Sequence, residues 1–164
     1  MSPRSLAPLA ITLAFLASGC GSKPQETSSP APSASAPSPA ATEIPAVSPY
    51  DSGPRAGESP VNAALAEAGE KLFQTKGCSA CHTWGKKMSG PDLHGVTFRR
   101  TAQWMENQIL HPEVMVKTDP ISRQLFAQMA LQMPNQGLKP DEAKSVIEFL
   151  KKKDHDAGLT KPAQ

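Results

Sequence analysis

Large side chains are scarce in this 164-residue chain: five Phe, two Trp and one Tyr. A domain of about 95 residues with so few of them would have a marginal core by itself. A bound apolar group that supplies the missing volume is therefore expected. Charge of one sign is also lacking. Seventeen Lys and Arg against 15 Asp and Glu leave a net +2, too little for bulk electrostatic binding to a phosphate backbone, which excludes nucleic acid as a partner. There are three Cys. Cys78 and Cys81 lie together and Cys20 stands alone, so no disulfide framework is expected. No run of buried strands is present, which points to an all-α fold. The longest apolar run, Leu6 to Leu16, is too short to span a bilayer as a mature helix.

Most of the 17 Pro lie before residue 62, so the composition is split. Residues 1–20 read as a lipoprotein signal peptide: Arg4 supplies a positive start, the apolar run follows, and Leu16-Ala17-Ser18-Gly19-Cys20 closes it. That ending resembles a bacterial lipobox, with Cys20 as the lipidated residue and the Leu one place earlier than usual. Cleavage as an ordinary secretory peptide is the alternative. Residues 21–60, rich in Pro, Ala and Ser, are predicted to be a disordered tether, because they cannot bury enough surface to offset ordering entropy. The protein is expected to be exported and held on the extracytoplasmic, or periplasmic, face of a membrane by acyl chains on Cys20.

A folded domain is predicted over 61–156, with a flexible tail over 157–164. Val61, Leu65, Ala68, Gly69, Leu72 and Phe73 recur at helical spacing, with Ser59 or Asn62 as cap and Gly77 as stop. Gly90-Pro91-Asp92-Leu93-His94-Gly95 reads as a turn-rich loop. A second helix runs from the cap Thr101 to Leu110, halted by His111-Pro112. A third starts at Asp119-Pro120 and is predicted to continue to Met133-Pro134. The last opens at Pro140-Asp141-Glu142 and carries Ala143, Val146, Ile147 and Leu150 on one face.

Between the first helix and the loop stands Cys78-Ser79-Ala80-Cys81-His82, the C-x-x-C-H spacing of c-type haem attachment. Two thiols one turn apart can add to the vinyl groups on one haem edge, and the imidazole that follows supplies an axial ligand. A zinc site would need a second ligand pair, and no Cys follows Cys81. A redox dithiol would need a βαβ setting. What fills the opposite face of the iron decides between carrier and catalyst. Met88, Met115, Met129, Met133, His94, His111 and His155 are the candidates. Met129 suits core packing, whereas Met133 precedes Pro134 and is presented from a chain turn.

The ordered set Gly69-x-x-x-Phe73, Cys78-x-x-Cys81-His82, Gly90-Pro91-Asp92-Leu93-His94-Gly95, Trp104 and Met133-Pro134, with an amphipathic last helix, resembles a bacterial class I, single-haem cytochrome c over about residues 62–153. The resemblance implies a small domain of about four to five helices wrapped around one covalent haem c. It implies Cys78 and Cys81 as thioether donors, His82 as proximal ligand and Met133 as distal ligand. Pro91 would orient His82 through its carbonyl, and Trp104 would donate its indole N–H to a haem propionate. Gly69 would let the first helix cross the last near Phe149. Arg123 to Gln132 looks helical where the family often has a loop, which keeps Met129 in play as ligand.

The function expected is single-electron transfer and not enzymatic turnover. The expected partners are redox proteins such as a membrane oxidase, a reductase or other cytochromes. The chain is expected to be monomeric, without a small-molecule substrate. Lys76, Lys86 and Lys87 flank the attachment site and would favour acidic docking surfaces. A haem peroxidase or gas or redox sensor with a labile sixth ligand is the competing function. A non-redox surface lipoprotein is a third.

Overall fold

The computed structural model describes residues 47–160. The signal segment with Cys20, most of the expected tether, and residues 161–164 lie outside that range. Six α-helices, α1 (Ala63–Thr75), α2 (Val96–Arg99), α3 (Ala102–Leu110), α4 (Pro112–Thr118), α5 (Pro120–Met129) and α6 (Pro140–Asp156), are joined by loops, with no strand among the described residues. None of these helices is long and apolar enough to cross a membrane.

The fold is built on the contact of α1 with α6. Asn62 caps α1 by accepting the Leu65 N–H at 3.1 Å. The buried face of α1 is Ala66, Gly69 and Phe73, while Leu65 and Ala68 stay exposed, so the expected stripe is rotated by about one position. The reason is close approach. A Cβ on Gly69 would stand 1.9 Å from the Ser145 carbonyl oxygen and 3.0 Å from the Phe149 Cβ. Only a residue without a side chain allows this crossing. Below it Phe73, Trp84 and Phe149 pack as three ring pairs with centroids 5.2–5.6 Å apart, each contributing about 0.5–1.5 kcal/mol beyond area burial.

α6 opens at Pro140 as expected, and two more helices begin where their caps placed them. Thr101 accepts from Trp104 N–H at the start of α3, and Asp119 from Ser122 N–H at the start of α5. α3 ends at Leu110 with His111 as its C-cap, as expected, but Pro112 then takes the first position of an unexpected helix, α4, where no N–H is needed. The third predicted helix stops at Met129 instead of Met133: Ala130 turns to φ 52°, a left-handed cap, and the chain runs without helix to Lys139.

The expected boundary at residue 61 also shifts. Residues 47–60 form a strap on the helical body. Ser48 is buried, and Asp51 accepts from Thr101 N–H (2.8 Å), Arg55 (2.9 Å) and Arg100 (3.3 Å). Tyr50 packs against the core, and its carbonyl accepts the Thr101 hydroxyl at 2.6 Å. Lys151, on α6, is 2% exposed. Its ammonium donates to Ser59 Oγ, Pro60 O and Glu148 Oε1 at 2.7–2.9 Å, using all three protons. Polar anchors thus do what apolar packing could not do for a Pro- and Ser-rich segment. The tail likewise stays ordered past the end of α6, where Leu159 N–H returns to Asp154 O at 3.0 Å.

Gly69→Ala is expected to destabilise the fold by about 3 kcal/mol or more, since backbone cannot move aside like a flexible side chain. Denaturant unfolding checks this; a loss under about 0.5 kcal/mol would mean the helices separate freely.

Candidate functional site

Residues after α1 turn sharply at Gly77, whose φ of 77° suits glycine, into a one-turn 3-10 helix over Cys78–Ala80. Backbone bonds from Cys81 N–H and His82 N–H to Cys78 O, at 3.2 and 3.0 Å, coil the segment so that both thiols and the imidazole line one cavity. Both cysteines are free and half-buried. Burial pushes the Cys78 thiol up, with Cys81 adding to the rise against an opposing backbone hydrogen bond.

The 90–95 loop fixes the imidazole. Gly90 N–H donates to Cys81 O at 2.9 Å and Leu93 N–H to Thr83 O at 3.0 Å. This sets His82 Nδ1 3.0 Å from Pro91 O. Because a carbonyl only accepts, Nδ1 carries the proton and Nε2 keeps its lone pair for a metal. A Cβ on Gly90 would lie 2.6 Å from His82 Cε1, so the ring rests in a cradle that glycine leaves open. Asp92 locks the loop from outside by accepting Gly85 and His94 N–H at 2.8 and 2.9 Å. The His94 bond is the main cause holding its carboxyl below the usual range.

The cavity runs from the attachment segment and the 90–95 loop to α3, α5 and the 131–136 segment. Phe73, Leu93, Val96 and Ile109 make its walls apolar, and Met105, Met129 and Met133 bring thioethers to it. Met133 sits in the segment without helix beyond α5, with its sulfur 3.8 Å from Gln108 Nε2. Met88 is exposed and Met115 is buried in the core away from the cavity. His94, His111 and His155 are exposed and line none of it. His155 Nε2 instead meets Gly57 O at 3.1 Å.

Trp104 departs from expectation. It lines the cavity, but its indole N–H donates to Asp119 Oδ1 at 3.0 Å, so that proton is not free for a propionate. Arg99 and Arg100, which sequence reasoning passed over, do line the cavity and would suit the carboxylates of a haem. Their only signal in the sequence was adjacency to the loop. Of the lysines flanking the attachment site, Lys76 pairs with Glu142 at 3.7 Å and Lys87 donates to Gln128 O at 3.1 Å. Lys86 is exposed. Two thiols, one oriented imidazole, apolar walls and facing thioethers fit a covalent haem.

Comparison with known proteins agrees with this geometry. Residues 66–154 match the family described as cytochrome c. Cytochrome c-551 of Pseudomonas denitrificans is 34% identical over 82 residues, covering 50% of this chain and 93% of that protein. A solved cytochrome c from Rhodothermus marinus superposes with TM-score 0.57 and 33% identity, over 59% of this chain and 83% of the other. An engineered form of that cytochrome gives 0.56 and 32%, over 59% and 84%.

Gly90→Ala is expected to push the His82 ring off Pro91 and cost about 1–3 kcal/mol of stability. Denaturant unfolding and faster exchange of the Nδ1 proton would report it; no change in either would show that the loop yields without cost.

Proposed function

Since the chain belongs to the cytochrome c family and carries covalent haem c, we propose that it is a single-electron carrier tethered to a membrane surface. The haem, when bound, supplies one reversible electron between ferrous and ferric iron. Cys78 and Cys81 are the thioether donors, and His82 Nε2 is the proximal ligand. Pro91 O holds the opposite ring nitrogen, so the imidazole keeps one orientation in both oxidation states. Met133 is the distal ligand. Two features favour it over Met129: it lies beyond the end of α5 in a segment without helix, and Gln108 Nε2 stands 3.8 Å from its sulfur. A thioether raises the potential, because a soft, uncharged donor favours the ferrous state.

The chain's other residues act by excluding water. Phe73, Leu93, Val96 and Ile109 wall the cavity, and a low-dielectric surround disfavours the extra charge of the ferric centre. His82 is the one histidine in the cavity lining among the described residues, so no distal imidazole stands ready for peroxide chemistry. The observation that carries the reading is the 3.0 Å contact of His82 Nδ1 with Pro91 O, in a cavity also lined by Met133. Redox proteins with acidic docking surfaces are the proposed partners, and Lys86 is the flanking lysine left most open to them. The proposed anchor is lipid on Cys20, on the extracytoplasmic side.

Met133→Ala is expected to abolish the weak red absorption of a ferric iron–thioether bond, lower the potential and admit carbon monoxide at neutral pH. Met129→Ala is expected to change none of the three. The reverse result would assign the ligand to Met129, and rapid carbon monoxide binding by the unaltered protein would favour a sensor or enzyme.

A further inference from the structure

Electron transfer as derived above leaves Asp119 without a role. Carboxylates are almost never fully buried unless paired, yet Asp119 is 0% exposed. Among the described residues, no cation lies within ion-pair distance of it. Its surroundings are neutral: Oδ1 accepts Trp104 Nε1–H at 3.0 Å and Ser122 N–H at 2.9 Å, the Ser122 hydroxyl lies 3.2 Å from it while donating at 2.6 Å to Gln108 Oε1, and Ser48 is a further neutral donor to the carboxylate. Oδ2 has no hydrogen-bond partner at ordinary distance. Arg100 rests on the Trp104 ring with its guanidinium carbon 5.3 Å from the centroid, but its ion pair is with Asp51. Burial alone would raise the Asp119 carboxyl, but hydrogen bonding by Ser48, Trp104 and Ser122 outweighs it and holds the group below its ordinary value. It is an anion at neutral pH.

The location gives that charge a consequence. Trp104 and Ser122 line the haem cavity and Asp119 does not, so the carboxylate stands one side chain behind the wall. Ser122 Oγ lies 2.6 Å from Gln108 Oε1, and Gln108 Nε2 reaches toward the Met133 sulfur, so the polar chain from Asp119 ends at the proposed distal ligand. Capping α5 does not require a charge, because Ser, Thr and Asn cap as well as Asp. A charge sealed from water acts through a low dielectric and is poorly screened by salt. Ferric haem carries one more positive charge than ferrous.

We propose that Asp119 is a positioning residue and fixed charge that biases the bound haem toward the ferric state, holding the carrier's potential below what its two axial ligands alone would set. This rests on the cavity as the seat of haem c, and not on which methionine is the distal ligand.

In the holoprotein, Asp119→Asn keeps an acceptor for Trp104 and Ser122 while removing the charge. It is expected to raise the ferrous-to-ferric ratio at fixed ambient potential by about tenfold, equivalent to 59 mV for a one-electron couple. The unfolding midpoint is expected to fall further for the ferric than for the ferrous form, a difference that lost capping alone would not produce. Asp119→Ser, a second neutral cap, is expected to shift the ratio in the same direction. A ratio within about twofold of the parent in both variants, or equal destabilisation of both oxidation states, overturns the proposal. So does failure of both to yield folded holoprotein, which would make the charge a folding requirement. Met133→Ala reports separately on the ligand: should it keep the iron–thioether absorption, the ligand assignment falls while the Asp119 result stands.

Discussion

The contact between Gly69 and the carbonyl of Ser145 is the constraint from which the haem site follows. With α1 seated directly on α6, Phe73 reaches Phe149 and Trp84, and the chain leaves α1 at Gly77 close against the core. The two thiols and His82 come next in sequence, so their placement is inherited from that crossing. A Cβ at residue 69 would lift the first helix, and with it every attachment point. The constraint is steric and local in origin, yet its consequence is the position of His82, the proposed metal ligand, 13 residues on.

Around this crossing the domain compensates for its few aromatics with buried polar anchors. Asp154, fully buried on α6, accepts Gly95 N–H, Thr97 N–H and the Thr97 hydroxyl at 2.7–3.0 Å and so caps the short α2. Lys151 ties residues 59 and 60 to the same helix, and Asp51 ties the strap to the start of α3. Each anchor joins segments far apart in sequence, and each is satisfied by several bonds. That is the condition under which burying polar groups in a low dielectric is tolerated. The outcome resembles a set of staples more than a large apolar core. Asp119 belongs to this set by geometry and, like Asp154, has no ion-pair partner among the described residues; it differs in standing one side chain behind the cavity wall.

The proximal side of the haem site is rigid for reasons visible in its bonds, and the distal side is built differently. His82 is held by a loop that hydrogen-bonds back to its own attachment segment. Met133 lies in a stretch without helix between α5 and α6, fastened by side chains: Asn135 Nδ2 donates to Leu110 O at 2.9 Å, and Gln108 faces the sulfur. One proposed ligand is fixed by backbone and the other by a network reaching to Asp119.

Attachment chemistry was legible in the sequence because it depends on spacing alone. Cys78-x-x-Cys81-His82 is one helical turn and the next residue, and Gly90-Pro91 is a loop whichever fold contains it. Thr101, Asp119-Pro120 and Pro140 marked helix starts because caps and first-turn prolines act through neighbours three or four residues away. The strap over 47–60 was not legible: its composition is that of a disordered chain, and only partners some 50 to 100 residues distant make it ordered. The bond of Trp104 to Asp119 was hidden too, because it joins two separate helices. Local bonding decides where a helix begins and which residues can hold a haem. Which polar groups are buried, and what they bond to, is decided by distant segments brought together, because desolvation is a property of the assembled fold.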